Sequence, residues 1–210
     1  MTTDKVFLSS KGTGIDQVLK EAETFASVKG LKRKDSMHLR LLVEEAMGMI
    51  KSIAKDFNAM FYLEGEGQEC SLHLEIKTGM DAAKRRGLMA VSTSGKNTAA
   101  KGIMGKIREI LETGMEYRAE ADEVNLLNGS ELYSYGAMSG AADAVPQAVF
   151  AWSLQQYRQS VLEQKAEEEV AEEAWDELEK SIVANLAKDV RIGIMKDTVE
   201  LEIIFTYSGK

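Results

Sequence analysis

Residues 58–77 read NAMFYLEGEGQECSLHLEIK, and this stretch decides the fold. Leu72, Leu74 and Ile76 alternate with Ser71, His73 and Glu75, the period-two pattern of a strand with one face on a core. A second run, Asn58 to Glu64, precedes it across Gly65-Glu66-Gly67. Two such runs joined by a glycine-containing connection read as an antiparallel hairpin. In this pattern Cys70 is taken as outward-facing, beside Glu69 and Ser71.

Outward from the hairpin the periodicity becomes helical. Ile15, Val18, Leu19, Ala22, Phe25 and Ala26 predict a helix that runs to about Val28, where Lys29-Gly30 ends it. Asp35-Ser36 offers N-cap side chains to a second helix with a buried stripe of Leu39, Leu42, Ala46, Ile50 and Ile53. Residues 5–9 form a short strand before both. After the hairpin come a short helix from Asp81 to Ala90, a polar loop at 93–98 and a helix over 99–112. Residues 113–145 are loop-like around short elements. From Pro146, at a first helical position, nothing breaks a helix until about Lys188, and that length demands a bend or two helices. Val190, Ile192 and Ile194, then Val199, Leu201, Ile203 and Phe205, flank Lys196-Asp197-Thr198 as a closing hairpin. The order predicts one α+β domain over 1–210, a two-layer sandwich of a mainly antiparallel sheet covered by helices.

Composition narrows the function classes. The 210 residues carry a formal net charge of -8, against a non-specific nucleic-acid partner. A lone Cys70 excludes a disulfide framework and suits a reducing compartment. No apolar run approaches a membrane span and no signal-peptide core opens the chain, so a cytoplasmic protein with no membrane partner is expected. Charge is nevertheless uneven. Lys84, Arg85, Arg86, Lys96, Lys101 and Lys106 follow one another with no acid between Asp81 and Arg108, which is where an anionic ligand is expected. Residues 163–180 hold nine acids against two lysines, a solvated face with an apolar stripe of Val170, Ala174 and Leu178 beside Trp175. Together with Val149, Trp152, Leu154 and Tyr157, that stripe must pack on its own sheet or on a second copy. A protein partner or homodimer is therefore placed at 146–188.

This order, and the helix text His38-Leu-Arg-Leu-Leu-Val-Glu-Glu-Ala-Met-Gly-Met-Ile50, resemble the ATP-binding domain of histidine kinases, gyrase and chaperone ATPases, and most of all its anti-sigma-factor kinase branch. The resemblance covers 5–112 and 190–206, leaving 113–188 as a mainly helical insertion. It implies a histidine-kinase-like ATPase fold, ATP with magnesium as ligand, and Glu45 as the acid that activates the attacking group. The family's magnesium-holding Asn falls at Met49, whose thioether is a poor ligand for a hard cation. The adenine-binding Asp falls at Thr78, followed by Gly79, with Asp81 displaced downstream. The glycine-rich phosphate lid falls on Ser94, Gly95, Lys96 and Asn97 and on Lys101, Gly102, Gly105 and Lys106, before a helix N-terminus. Neither Lys96 nor Lys106 satisfies a P-loop, which needs Gly six residues earlier and Ser or Thr next. The implied function is a nucleotide-binding regulator without efficient catalysis, with a non-catalytic interaction scaffold as the alternative. His38 and His73 read as surface or satisfied histidines. Met37, Met47 and Met49 are core filler or the lining of a soft pocket.

Overall fold

The structure is a computed structural model that describes residues 1–53, 57–78, 107, 150–164, 169–195 and 198–208. Strand β1 (Val6–Ser9) leads to helices α1 (Ile15–Val28) and α2 (Arg33–Ile53), then to the hairpin β2 (Phe57–Glu66) and β3 (Glu69–Thr78). The chain returns to the described part as β4 (Phe150–Ser153), continues through α3 (Leu154–Gln164), α4 (Glu169–Lys180) and α5 (Ile182–Leu186), and closes with β5 (Asp189–Met195) and β6 (Thr198–Thr206). These strands form a six-stranded sheet in the order β1-β2-β3-β6-β5-β4. Every pairing is antiparallel. The fold is thus α+β, a sheet with helices packed on it.

Register explains the core. Leu72 faces Ile203, Leu74 faces Leu201 and Ile76 faces Val199, and the same β6 residues meet Val190, Ile192 and Ile194 on their other side. All are buried with Val18, Ala22 and Phe25 of α1 and Leu39, Val43, Ala46 and Ile50 of α2. Ile107, helical, joins the same cluster. A continuous apolar surface of this kind supplies the main driving force for folding.

The hairpin turns at Gly67-Gln68 rather than at Gly65. Gly67 has φ 55, the left-handed conformation a two-residue turn requires. Gly65 belongs to β2 and pairs with Cys70. An added Cβ there would lie 2.7 Å from Phe25 Cζ, so Gly65 lets α1 approach the sheet. The sequence reading put Cys70 on the outer face. It is instead 1% exposed, because it shares the phase of Leu72, Leu74 and Ile76.

α2 begins at Arg33, earlier than the expected cap at Asp35-Ser36. The backbone N–H of Ser36 already donates to Lys32 O at 2.9 Å. Asp35 sits inside the first turn and accepts from the backbone N–H of Ser208 at 3.1 Å, pinning the end of β6's exit to α2.

The bent or double helix expected after Pro146 is, among the described residues, a strand followed by three helices, so the 113–188 stretch contributes an edge strand to the sheet. Asp189 is the reason the helix starts where it does. Its carboxylate is 3% exposed and accepts from Ser153 Oγ at 3.1 Å, from the backbone N–H of Gln155 at 2.9 Å and from Arg191 Nε at 3.1 Å. Ser153 Oγ in turn accepts from the backbone N–H of Gln156 at 3.3 Å. The first-turn donors of α3 therefore find acceptors only if β4 ends at Ser153. Ser181 caps α5 by accepting from the N–H of Ala184 at 3.2 Å. Ala171, Leu178, Leu154 and Val161 are buried, and Trp152 and Trp175 pack against the core. The described part of the apolar stripe on 146–188 thus packs into the chain's own core, with α4 against α3 and α5. Val149 and the side chain of Val170 lie outside what is described.

Replacing Asp189 by Ala removes a buried acceptor from Arg191 and from the backbone N–H groups of Gln155 and Val190 at once, which should cost about 3 kcal/mol. Urea unfolding should show a lower midpoint at unchanged slope, with Ser153→Ala costing only about 1 kcal/mol. Equal losses for the two variants would contradict the central place given to Asp189.

Candidate functional site

One end of the sheet brings Thr78 together with the ends of the neighbouring strands. Ser9 pairs with Asn58, Phe57 with Thr78, Lys77 with Thr198, Thr198 with Met195, and Phe150 with Ile194. Strand β3 ends at Thr78 and β4 begins at Phe150, both at that same end. α1 starts there, after the turn at residues 10–14, and α2 ends there, just before Phe57. From the rise of a helix, Met49 lies about 6 Å and Glu45 about 12 Å from the end of α2.

The turn into α1 is tightly specified. Gly14 precedes the helix with φ 85, and a Cβ on it would overlap the carbonyl oxygen of Phe7. Any L-residue would meet both the strained backbone angle and that overlap.

Among the expected site residues, Glu45 is partly buried at the edge of the core stripe of α2, between exposed Glu44 and buried Ala46. Met49 is 1% exposed and belongs to the core. The three methionines of α2 do not share a pocket, since Met47 is buried while Met37 is 55% exposed. Thr78 ends β3 opposite Phe57. Gly79, Asp81, Ser94, Gly95, Lys96, Asn97, Lys101, Gly102, Gly105 and Lys106 lie outside the described residues, as do the helices expected at 81–90 and 99–112, Ile107 excepted. The described side chains do not fit magnesium at the family position, because a buried thioether offers no hard oxygen donor. Among the described residues no group of His, Cys, Asp and Glu could hold a metal ion. No helix among them is long and apolar enough to cross a membrane.

The face of the sheet away from the core carries a second arrangement, one the sequence reading did not assemble. His73 lies between Tyr62 on β2 and Glu202 on β6, and Glu202 faces Arg191 on β5. The rings of Tyr62 and His73 stack with centroids 4.6 Å apart, and Lys5 Nζ lies 4.7 Å from the Tyr62 ring centre. One step along, Glu75 faces Glu200. Burial, with Glu75 next in importance, raises the pKa of Glu200. Burial and the neighbouring carboxylates, led by Glu75, likewise raise that of Tyr62. Lys5 and Arg191 moderate the repulsion, at 3.6 Å from Glu75 and 3.2 Å from Glu202. His73 Nε2 is buried without a hydrogen-bond partner, and Glu64 Oε2 stands 3.5 Å away, near but out of line for a hydrogen bond. The alternation that marked these residues as outward was legible. Their grouping depended on the pairing of β3 with β6, far apart in sequence.

Compared with models of known families, with curated proteins and with solved structures, the chain finds no match in any of the three.

Burial pushes the Cys70 thiol from 9.0 up to about 12, with Lys29 opposing weakly. The thiolate is the reactive form, so native Cys70 should resist alkylation at pH 8 and react at an ordinary rate once urea unfolds the chain. The raised value also means that Cys70's contribution to stability is intact below pH 9.0 and is lost as pH climbs toward about 12. Rapid native-state labelling by iodoacetamide would contradict this placement.

Proposed function

We propose that this chain is a cytoplasmic nucleotide-binding regulatory protein, similar in plan to anti-sigma-factor kinases, that holds its ligand without efficient catalysis. One observation carries the reading. The start of α1, the end of α2 and the end of β3 meet at one end of the sheet, and the basic stretch 84–106 follows directly from Thr78. A nucleotide's phosphates would be held by Lys96, Lys101 and Lys106 with the backbone around Gly95, Gly102 and Gly105, as charge-assisted contacts to an anion. Glu45 stands on the helix that leads to this end. Met49 argues against a bridging magnesium and therefore against turnover.

The second reading is a scaffold that has lost nucleotide chemistry and works through protein contacts. The burial of Met49 in the core favours it, since a thioether there offers no hard oxygen donor.

Titration calorimetry distinguishes the two. The first reading expects heat with ATP or ADP, and an affinity at least about tenfold weaker when Lys96, Lys101 and Lys106 are all changed to Ala. It also expects no ATP hydrolysis above buffer, with or without magnesium. No heat with either nucleotide, in the presence or absence of magnesium, would leave only the scaffold.

A further inference from the structure

The side of α2 that faces away from the core carries its own pattern. Lys34, Met37, Leu41, Glu44 and Gly48 recur every three or four residues, so they share one stripe, opposite buried Leu39, Val43, Ala46 and Ile50. Met37 is 55% exposed and Leu41 36%. Scattered exposed apolar residues are ordinary, but these two are one turn apart and in line with a helix-interior glycine. An added Cβ at Gly48 meets nothing within 4 Å, so no close approach among the described residues accounts for it. Glycine at such a position weakens a helix.

The charges are also out of place for an isolated helix. Lys32, Arg33 and Lys34 stand at the N-terminal end of α2, where the helix dipole favours acids. None of the three has an ion-pair partner among the described residues. Asp35, the acid of the first turn, is occupied by the N–H of Ser208. Glu44 and Glu45 lie farther along the helix, with Glu44 held by Arg40 at 3.0 Å.

We propose that this stripe is a self-association surface, on which α2 of a second copy packs antiparallel. A two-fold axis level with Leu39 would set Met37 against Leu41 of the second copy and Lys34 against its Glu44, each contact made twice. It would also bring Gly48 beside the turn at Gly30 of the second copy, where a missing side chain permits close approach. A pattern with basic, apolar and acidic positions in sequence complements itself when read backwards, and this points to a copy of the chain rather than to another partner. The surface uses the outward side of α2 and is independent of the nucleotide reading. A single helix face lies at the small end of specific interfaces, so a dissociation constant on the order of micromolar is expected.

Sedimentation velocity on the full chain across that concentration range tests the proposal. Wild type should pass from monomer to dimer, and the transition should weaken with salt. Leu41→Asp should remain monomeric with an unchanged circular dichroism spectrum. Lys34→Glu alone and Glu44→Lys alone should each weaken association at least about tenfold, and the double variant should recover most of that loss. A wild-type chain that stays monomeric throughout, or a double variant that associates no better than either single one, would overturn the proposal.

Discussion

The pairing of β3 with β6 is the constraint on which the rest of this molecule depends. It runs from Glu69 opposite Thr206 to Lys77 opposite Thr198, joining residues more than a hundred positions apart. Without it the first hairpin would have α1 and α2 on one face but an open edge, and β5 and β4 would have no sheet to extend. Long-range pairings of this kind are entropically costly to form and must be rewarded by burial. Here the reward is the row of Cys70, Leu72, Leu74 and Ile76 against Phe205, Ile203, Leu201 and Val199, all nearly inaccessible to water. Tyr207 secures the same junction from outside the strands, its hydroxyl donating to Gly67 O at 3.0 Å. The Asp35 carboxylate, accepting from Ser208, then ties the end of that strand to the start of α2.

Much of this was legible because it is written in local periodicity. The span of α1 and both hairpins follow from residue spacing alone, and their buried sides follow for all but Cys70. The misreadings occur where a distant group decides a local outcome. Gly65 looks like a turn residue until Phe25 is placed over it. Phe150 to Ser153 has no strand signature distinct from the helical run after it. It becomes a strand because Ala151 and Trp152 meet Gly193 and Ile192, and because the Asp189 carboxylate receives the Gln155 N–H of α3 while Ser153 Oγ receives that of Gln156. A buried carboxylate placed by a different strand leaves no trace in the four residues it reorganises.

The candidate site was legible as a set of positions but not as a set of neighbours. Glu45, Met49 and Thr78 could be named from the order of elements, yet that the end of β3 lies at the end of the sheet to which α2 leads follows from the register of Phe57 with Thr78. The outer-face group around Tyr62, His73 and Glu202 was hidden for the same reason. Its members come from β2, β3 and β6, and only their register puts a stacked histidine beside four carboxylates. In such a row each acid is held by a cation or shielded by its neighbours, because like charges directly opposite one another are otherwise destabilising. Lys5 and Arg191 stand where that compensation is required.

The phase of α2 connects these observations. Its buried stripe includes Met49, while Glu45 lies at the stripe's edge and Leu41 and Gly48 lie beyond it. An Asn at residue 49 would place an amide among core side chains, and an unpartnered buried amide costs several times the worth of an ordinary hydrogen bond. The methionine therefore satisfies the packing of this helix on this sheet. It need not be read as the remnant of a metal ligand, since the position offers no approach from water. What one helix side gives up in polar chemistry leaves its opposite side free to carry the self-complementary order of Lys34, Met37, Leu41 and Glu44. A single 21-residue helix thereby serves the core with one face and offers a contact surface with the other.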